Sequence, residues 1–192
     1  MLEQTPNMTP KQEEKIRKKI ASIKKALAED KRHWGGQYHD GRGYRYMPPQ
    51  YFLELQDYKG AASYFRWFQK NFPDDSAYPI FLFEWTLTLY KTNKIKEAET
   101  KALKTFMSDI YLFNTFLEKP TAEPGNAITE TAHYSRNNVE LIDFSEWLQQ
   151  FMASEKFNRI AKEFSDIQRE LENEPVGKKR TDLVNRQSEL LT

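Results

Sequence analysis

No cysteine occurs among the 192 residues, so disulfides, thiol nucleophiles and thiolate zinc sites are excluded. No run approaches 18 apolar residues, and Met1 to Lys11 lacks an apolar core preceded by positive charge. Together these absences lead to the expectation of a cytoplasmic protein that does not enter a membrane. Charge of one sign is lacking as well. With 29 Lys and Arg against 28 Asp and Glu, a formal net charge of +1 gives the whole chain no pull toward nucleic acid or an anionic bilayer. Catalytic signatures are missing too: no nucleophile elbow, phosphate-cradling glycine loop, paired-histidine zinc helix or hydrolytic triad order is legible. Carboxylates such as Glu54, Glu84, Glu97 and Glu99 fall on expected helices, where solvated faces or ion pairs explain them. The sequence therefore reads as a non-enzyme without a cofactor.

What is present is helical and aromatic. Aromatic residues make up 14% of a chain that is 30% charged, so rings must supply much of the burial. Thr9, Pro10 and Gln12 have the form of an N-cap, a first-turn proline and a capping-box partner. Ile16, Ile20, Ile23 and Leu27 then form one apolar stripe on a charged rod ending near Trp34-Gly35-Gly36. Residues 11–32 hold nine Lys or Arg and four Asp or Glu, a local +5. That excess is either a solvated face or a surface for RNA or DNA.

Between positions 35 and 49, four glycines and two prolines forbid a long regular element. The resulting loop is crowded with His33, Trp34, Tyr38, His39, Asp40, Arg42, Tyr44, Arg45 and Tyr46. Alternating Arg and Tyr can grip an anion with guanidinium while a ring stacks on an apolar partner. Alternatively the rings seal a core end while the arginines stay in water. His33, His39 and Asp40 also raise a metal reading, although a spacing of six between the histidines matches no helical ligand pair.

One helical hairpin pattern is then written twice between Pro49 and Phe106. Placing Asp57-Tyr58 on Lys94-Ile95 sets Ala61 on Ala98, 37 positions further on. The expected helices run from Pro48-Pro49 to Gln56, from Tyr58 to Asn71 and from near Ser76 through Leu89, with a fourth opened by Glu97-Ala98 and marked by Ala98, Ala102 and Phe106. Ala61 marks a close approach, with Tyr64, Phe65 and Phe68 on the buried side. Leu82, Trp85, Thr86 and Leu89 form the inner face of the third helix.

These residues resemble tetratricopeptide (TPR) repeats. Ala61, Phe65 and Pro73 match the family's second-helix pattern, and Leu82, Trp85, Thr86 and Leu89, followed by Glu97-Ala98, match its next repeat. Departures are Pro48 and Pro49, Phe68, Ala102, and a spacing of 37 where the family has about 34. The resemblance implies an all-α fold of antiparallel helix pairs, stacked right-handed as in TPR proteins, with flanking capping helices. It also implies a groove lined by Gln50, Leu53 and Glu54 in the first repeat and by Phe83, Leu87, Tyr90 and Lys91 in the second. The loop bearing Arg42, Tyr44, Arg45 and Tyr46 would close one end of it.

Further along, Ser108 is expected to cap a helix reaching Leu117. Residues 119–136 read as a loop too long for a hairpin turn. Asn137 with Glu140 forms a capping box for a helix bearing Leu141, Phe144, Trp147, Leu148, Phe151 and Met152. Ser154 caps the next, whose stripe is Phe157, Ile160, Ala161, Phe164, Ile167 and Leu171. A final helix is expected from Thr181 to Leu190, preceded by Lys178-Lys179-Arg180. The segments 1–47, 48–118, 119–137 and 138–192 are taken as one structural unit.

The functional expectation is a non-enzymatic helical-repeat scaffold that binds a protein or peptide segment. Two helix pairs are few for a free-standing stack, which makes a homo-oligomer plausible. One alternative is an RNA- or DNA-associated protein using the basic N-terminal helix with Arg42 and Arg45. A second is a small metal-dependent enzyme at the loop histidines.

Overall fold

The computed structural model describes residues 8–118, 134–136 and 138–190. Among them the fold is all-α, with helices α1 (Pro10–His33), α2 (Pro48–Glu54), α3 (Tyr58–Asn71), α4 (Pro79–Lys91), α5 (Ile95–Ser108), α6 (Leu112–Phe116), α7 (Ile142–Ala153), α8 (Glu155–Asn173) and α9 (Lys178–Glu189). Single 3-10 turns at Tyr44–Tyr46 and Val139–Leu141 complete the order. No helix among the described residues is long and apolar enough to cross a membrane. A single structural unit was expected, but the chain divides into two compact ones, residues 8–98 and 99–190, with the boundary inside α5.

In the first unit, the expected capping box starts α1. Thr9 Oγ1 accepts from the Gln12 N–H at 3.3 Å, and Gln12 Oε1 accepts from the Thr9 N–H at 2.8 Å. Ile16, Ile20 and Leu27 are buried on one side of the rod, which packs on α2. α2 opens on Pro48-Pro49, because neither ring needs a hydrogen on nitrogen in a first turn. α2, α3 and α4 each pack against the other two.

At the α2–α3 contact Ala61 is fully buried, as expected, but the tighter constraint falls one residue earlier. A Cβ on Gly60 would lie 2.4 Å from Asp57 Oδ2 and 2.8 Å from Phe52 Cδ1. Asp57 in turn caps α3, accepting from the Gly60 N–H at 2.8 Å. Rings fill the space between α3 and α4: Phe65 stacks on Trp85 at 4.8 Å and Phe68 meets Phe81 at 4.6 Å.

α4 starts at Pro79 rather than near Ser76, with Tyr78 as its cap residue. Every position from Phe81 to Leu89 is buried. Only Glu84 is charged in that stretch, and a helix apolar all round has no side suited to water.

The turns after α2 and α4 are built alike, 37 residues apart. Gln56 and Asn93 both take left-handed φ, 55° and 59°. The next N–H in each case reaches back five residues, Asp57 to the Phe52 carbonyl and Lys94 to the Leu89 carbonyl, both at 2.9 Å. Ala61 and Ala98 then donate to Asp57 and Lys94, again both at 2.9 Å. Such bonds satisfy the carbonyls orphaned at a helix end and fix how the chain leaves it.

In the second unit, Phe106 of α5 packs against Phe157 and Phe164 of α8. Ser108 ends α5 instead of capping a new helix, and α6 spans only Leu112–Phe116. The Asp109 carboxylate accepts from the Tyr111 N–H, which makes a turn where a longer helix was expected. Asn137 lies outside the described residues, and Asn138 makes the cap, accepting from the Glu140 N–H. Residues 119–133 of the expected loop also lie outside them.

Phe144, Leu148 and Phe151 are buried, as are Phe157, Phe164, Ile167 and Leu171 on α8. Ser154 caps α8 through the Phe157 N–H. α9 begins at Lys178, so the basic cluster forms its first turn rather than a preceding loop. It returns along α8, with Leu183 against Ile167 and Leu171, while Arg180 donates to the Leu171 and Glu174 carbonyls at 2.7 and 2.8 Å.

Candidate functional site

The loop between α1 and α2 is held by the carboxylates of Asp30, Asp40 and Asp75. Asp30 Oδ2, near the end of α1, accepts from the His39 and Asp40 N–H groups at 2.8 and 3.1 Å. Asp40 itself is buried and takes a positive φ of 38°, a conformation that Asp tolerates better than most residues. Its carboxylate accepts from the Tyr44 and Arg45 N–H groups and from Arg45 Nη1, at 2.9, 3.0 and 3.0 Å.

Arg45 also donates through Nε to Asp75 at 2.8 Å, tying the loop to the α3–α4 connection. The Tyr46 hydroxyl donates to the same carboxylate at 2.6 Å, and the Tyr64 hydroxyl donates to the Arg45 carbonyl at 2.8 Å. The guanidinium lies over the rings of Tyr46 and Phe72.

The electrostatics follow from this wiring. Burial pushes the Tyr46 phenol up to about 12, with its bond to Asp75 adding to the effect. Burial likewise raises the Tyr64 phenol, with the Asp40 charge second. At Asp75 burial opposes the charge, yet Tyr46, the Ala77 N–H and Arg45 outweigh it and hold the carboxyl below the usual range. Arg45 shows the same contest: burial works against its charge, and Asp75 and Asp40 more than restore it.

Of the expected site residues, Arg45 and Tyr46 are thus half-buried and committed to bonds within the protein. Tyr38 is also turned inward, against Trp67 and Phe72, with the Lys31 ammonium 4.8 Å from its ring. Leu53, Phe83 and Leu87 are buried, at 7%, 0% and 1% exposure, and so line no open surface. This corrects their assignment to a groove, and for Phe83 and Leu87 the cause is the all-round burial of α4. Gln50 is half-buried and Glu54 exposed on α2. Tyr90 and Lys91 are half-buried at the end of α4, with the Lys91 ammonium over the Tyr58 ring.

What the loop turns outward is a different set. Trp34 is 50% exposed, its ring stacked on His39 at 4.9 Å and met edge-on by His33 at 5.1 Å. Arg42 is exposed and donates to the Tyr44 hydroxyl at 3.2 Å. Gly41 makes room for this arrangement, since a Cβ there would fall 3.2 Å from His39 Cε1. Trp34 and His39 belong to the crowded loop stretch in the sequence, but their pairing depends on Asp30 folding the chain back, a contact that no local pattern announces.

Asp40 spends its carboxylate on its own loop, and among the described residues no group of three or more His, Asp and Glu is placed to hold an ion. On α1 most cations are engaged. Arg17 and Lys18 pair with Glu13 and Glu14, while Lys25 and Arg32 both approach Glu29. Lys19 and Lys24 lie over the rings of Tyr51 and Phe52. Compared with known protein families, with curated proteins and with solved structures, the chain matches none.

Proposed function

We propose that this chain is a non-enzymatic helical scaffold that holds a segment of another protein, and that the α1–α2 loop is the part it presents. One observation carries the reading. The loop is fixed from within by Asp30, Asp40, Arg45 and Asp75, yet keeps Trp34, His39 and Arg42 on its outer side. A surface loop fixed before binding loses little conformational entropy when a partner docks. Aromatic and guanidinium groups are also the side chains that most often dominate such contacts.

The TPR-like stack belongs to the same proposal. It is supported by the two matched turns 37 residues apart and by the mutual packing of α2, α3 and α4. A cytoplasmic setting fits a protein of this composition. The nucleic-acid alternative would use the α1 cations, of which Arg17, Lys18, Lys25 and Arg32 lie beside Glu13, Glu14 and Glu29 in exposed pairs.

Partner capture from source-cell lysate, comparing the wild type with a Trp34→Ala, Arg42→Ala double variant, tests the reading. Loss of specific partners by the variant is expected. Recovery of the same partners by both proteins would remove the loop from the proposal.

A further inference from the structure

The formal net charge of +1 is a cancellation between the two compact units. Residues 8–98 hold 17 Lys and Arg against 11 Asp and Glu, a net +6, while residues 99–190 hold 12 against 16, a net −4. The basic excess of the first unit is not answered equally on its helices. On α1, Arg17, Lys18, Lys25 and Arg32 each lie beside a glutamate. Lys19, Lys24 and Lys31 sit over rings, which leaves Lys11 and Lys15 unpaired among the described residues. α3 differs, because it carries Lys59, Arg66 and Lys70 and no acid at all.

These three cations form one ridge with Ser63. Steps of four, three and four positions keep Lys59, Ser63, Arg66 and Lys70 within about 60° of one another around the helix, on a line roughly 16 Å long. All four are exposed, and the opposite side of α3 is the buried one, bearing Ala61, Tyr64, Phe65 and Phe68. Arg66 Nη2 donates to Ser63 Oγ at 3.0 Å, which lays the guanidinium along the ridge. Among the described residues no carboxylate comes within ion-pair distance of Lys59, Arg66 or Lys70. The acids nearest in the chain are spent or lie past the helix ends. Asp57 caps α3 through the Gly60 N–H, Asp75 takes Arg45 and Tyr46, and Asp74 is exposed in the turn that follows. On α1, Glu29 is occupied by Lys25 and Arg32, and Asp30 by the His39 and Asp40 N–H groups.

We propose that the Lys59–Arg66–Lys70 ridge of α3 binds the phosphate backbone of a nucleic-acid duplex without reading its sequence. This is a different surface from the loop of the scaffold reading and does not depend on it. The ridge has no apolar side chain, so a protein partner would gain only exposed ion pairs, each worth about 0–1 kcal/mol. A duplex offers more, because every cation that neutralises a phosphate releases condensed counterions. One strand places a charge about every 3.4 Å of axis, so a straight row of this length passes several of them. A single strand is the poorer match, since its binders add exposed rings for base stacking and the ridge has none. A bilayer surface is poorer too, because a helix lying in it buries an apolar side, and that of α3 is turned into the core. Contacts to phosphate carry no sequence information.

The test is fluorescence anisotropy of the full chain with a short labelled DNA duplex, repeated over a range of salt. For three phosphate contacts, log affinity should fall against log salt with a slope of about −2.7. Lys59→Ala, Arg66→Ala and Lys70→Ala should each make that slope shallower by about 0.9. Arg66→Lys should keep it, and Lys18→Ala with Lys25→Ala on α1 should leave it unchanged. These positions are exposed, so an unaltered urea midpoint shows that each variant is folded. An RNA duplex forms a second arm, and dependence on the ridge with either duplex upholds the proposal. It is overturned if neither duplex saturates, if the α3 variants leave the slope as it was, or if the α1 variants change it as much. It also falls if a polyglutamate peptide, a single-stranded oligouridylate or phosphatidylserine vesicles bind as tightly as the duplex with the same dependence on α3.

Discussion

Arg45 shows how a residue that looks like a binding group can be a structural one. Its guanidinium joins two carboxylates that lie 35 positions apart in the chain, and its own carbonyl takes the Tyr64 hydroxyl. Arg45→Ala leaves the buried Asp40 carboxylate with its two backbone N–H partners but no cation and is expected to cost about 2 kcal/mol in urea unfolding. Arg42→Ala, fully exposed, should leave the same midpoint in place.

The pH dependence follows from Tyr46 and Asp75. A phenol raised to about 12 contributes stability that is complete below its ordinary value of 10.0 and is lost as pH climbs through about 12. A carboxyl held below its ordinary 3.8 contributes stability that is complete above that value and is lost as pH falls through the lower folded one. Urea midpoints measured against pH should therefore drop at both ends, and Tyr46→Phe should flatten the alkaline fall. Thr88 offers a contrasting case, a buried hydroxyl without a hydrogen-bond partner among the described residues. Thr88→Val should be neutral or stabilising by up to about 1 kcal/mol, since it removes a desolvated group and little volume.

Among the elements, the ends with local chemistry were legible in sequence. Thr9 with Gln12 and Ser154 before α8 act within four positions, so spacing alone reveals them, whereas the Asp57 cap of α3 was not read from the sequence and Ser108 ends a helix instead of starting one. α4 was legible as a helix but not in its burial, because nothing local distinguishes an inner side when nearly every residue is apolar. The carboxylate wiring of the loop was not legible at all. Asp75 reads as the acidic end of a helix, and only the fold brings it to Arg45, 30 positions away.

The matched turns carry an element-scale prediction. Gln56 and Asn93 adopt a left-handed backbone that costs a residue with a Cβ about 1 kcal/mol. Gln56→Gly should stabilise by about 0.5 to 1 kcal/mol in thermal unfolding, and Asn93→Gly by less, because Asn already tolerates that region. Gly60→Ala should act the other way, since its Cβ would displace the Asp57 cap and the Phe52 ring.

The chain divides into two compact units, and the division falls between Ala98 and Glu99. Because the boundary falls inside α5, a cut at Ala98 removes most of a helix, whereas a chain ending at Ser108 keeps it whole. Residues 1–108 are expected to unfold cooperatively by near-ultraviolet circular dichroism, reporting the Phe65–Trp85 stack. A chain ending at Ala98 should give a lower and broader transition.

The turn after α2 and the turn after α4 share their bonds but not their side chains, Gln56 in one and Asn93 in the other. The angle of each joint is therefore written in the main chain, and point substitutions there alter its strain more than its direction. A joint held by main-chain bonds leaves the side chains around it open to change without moving the helices it connects.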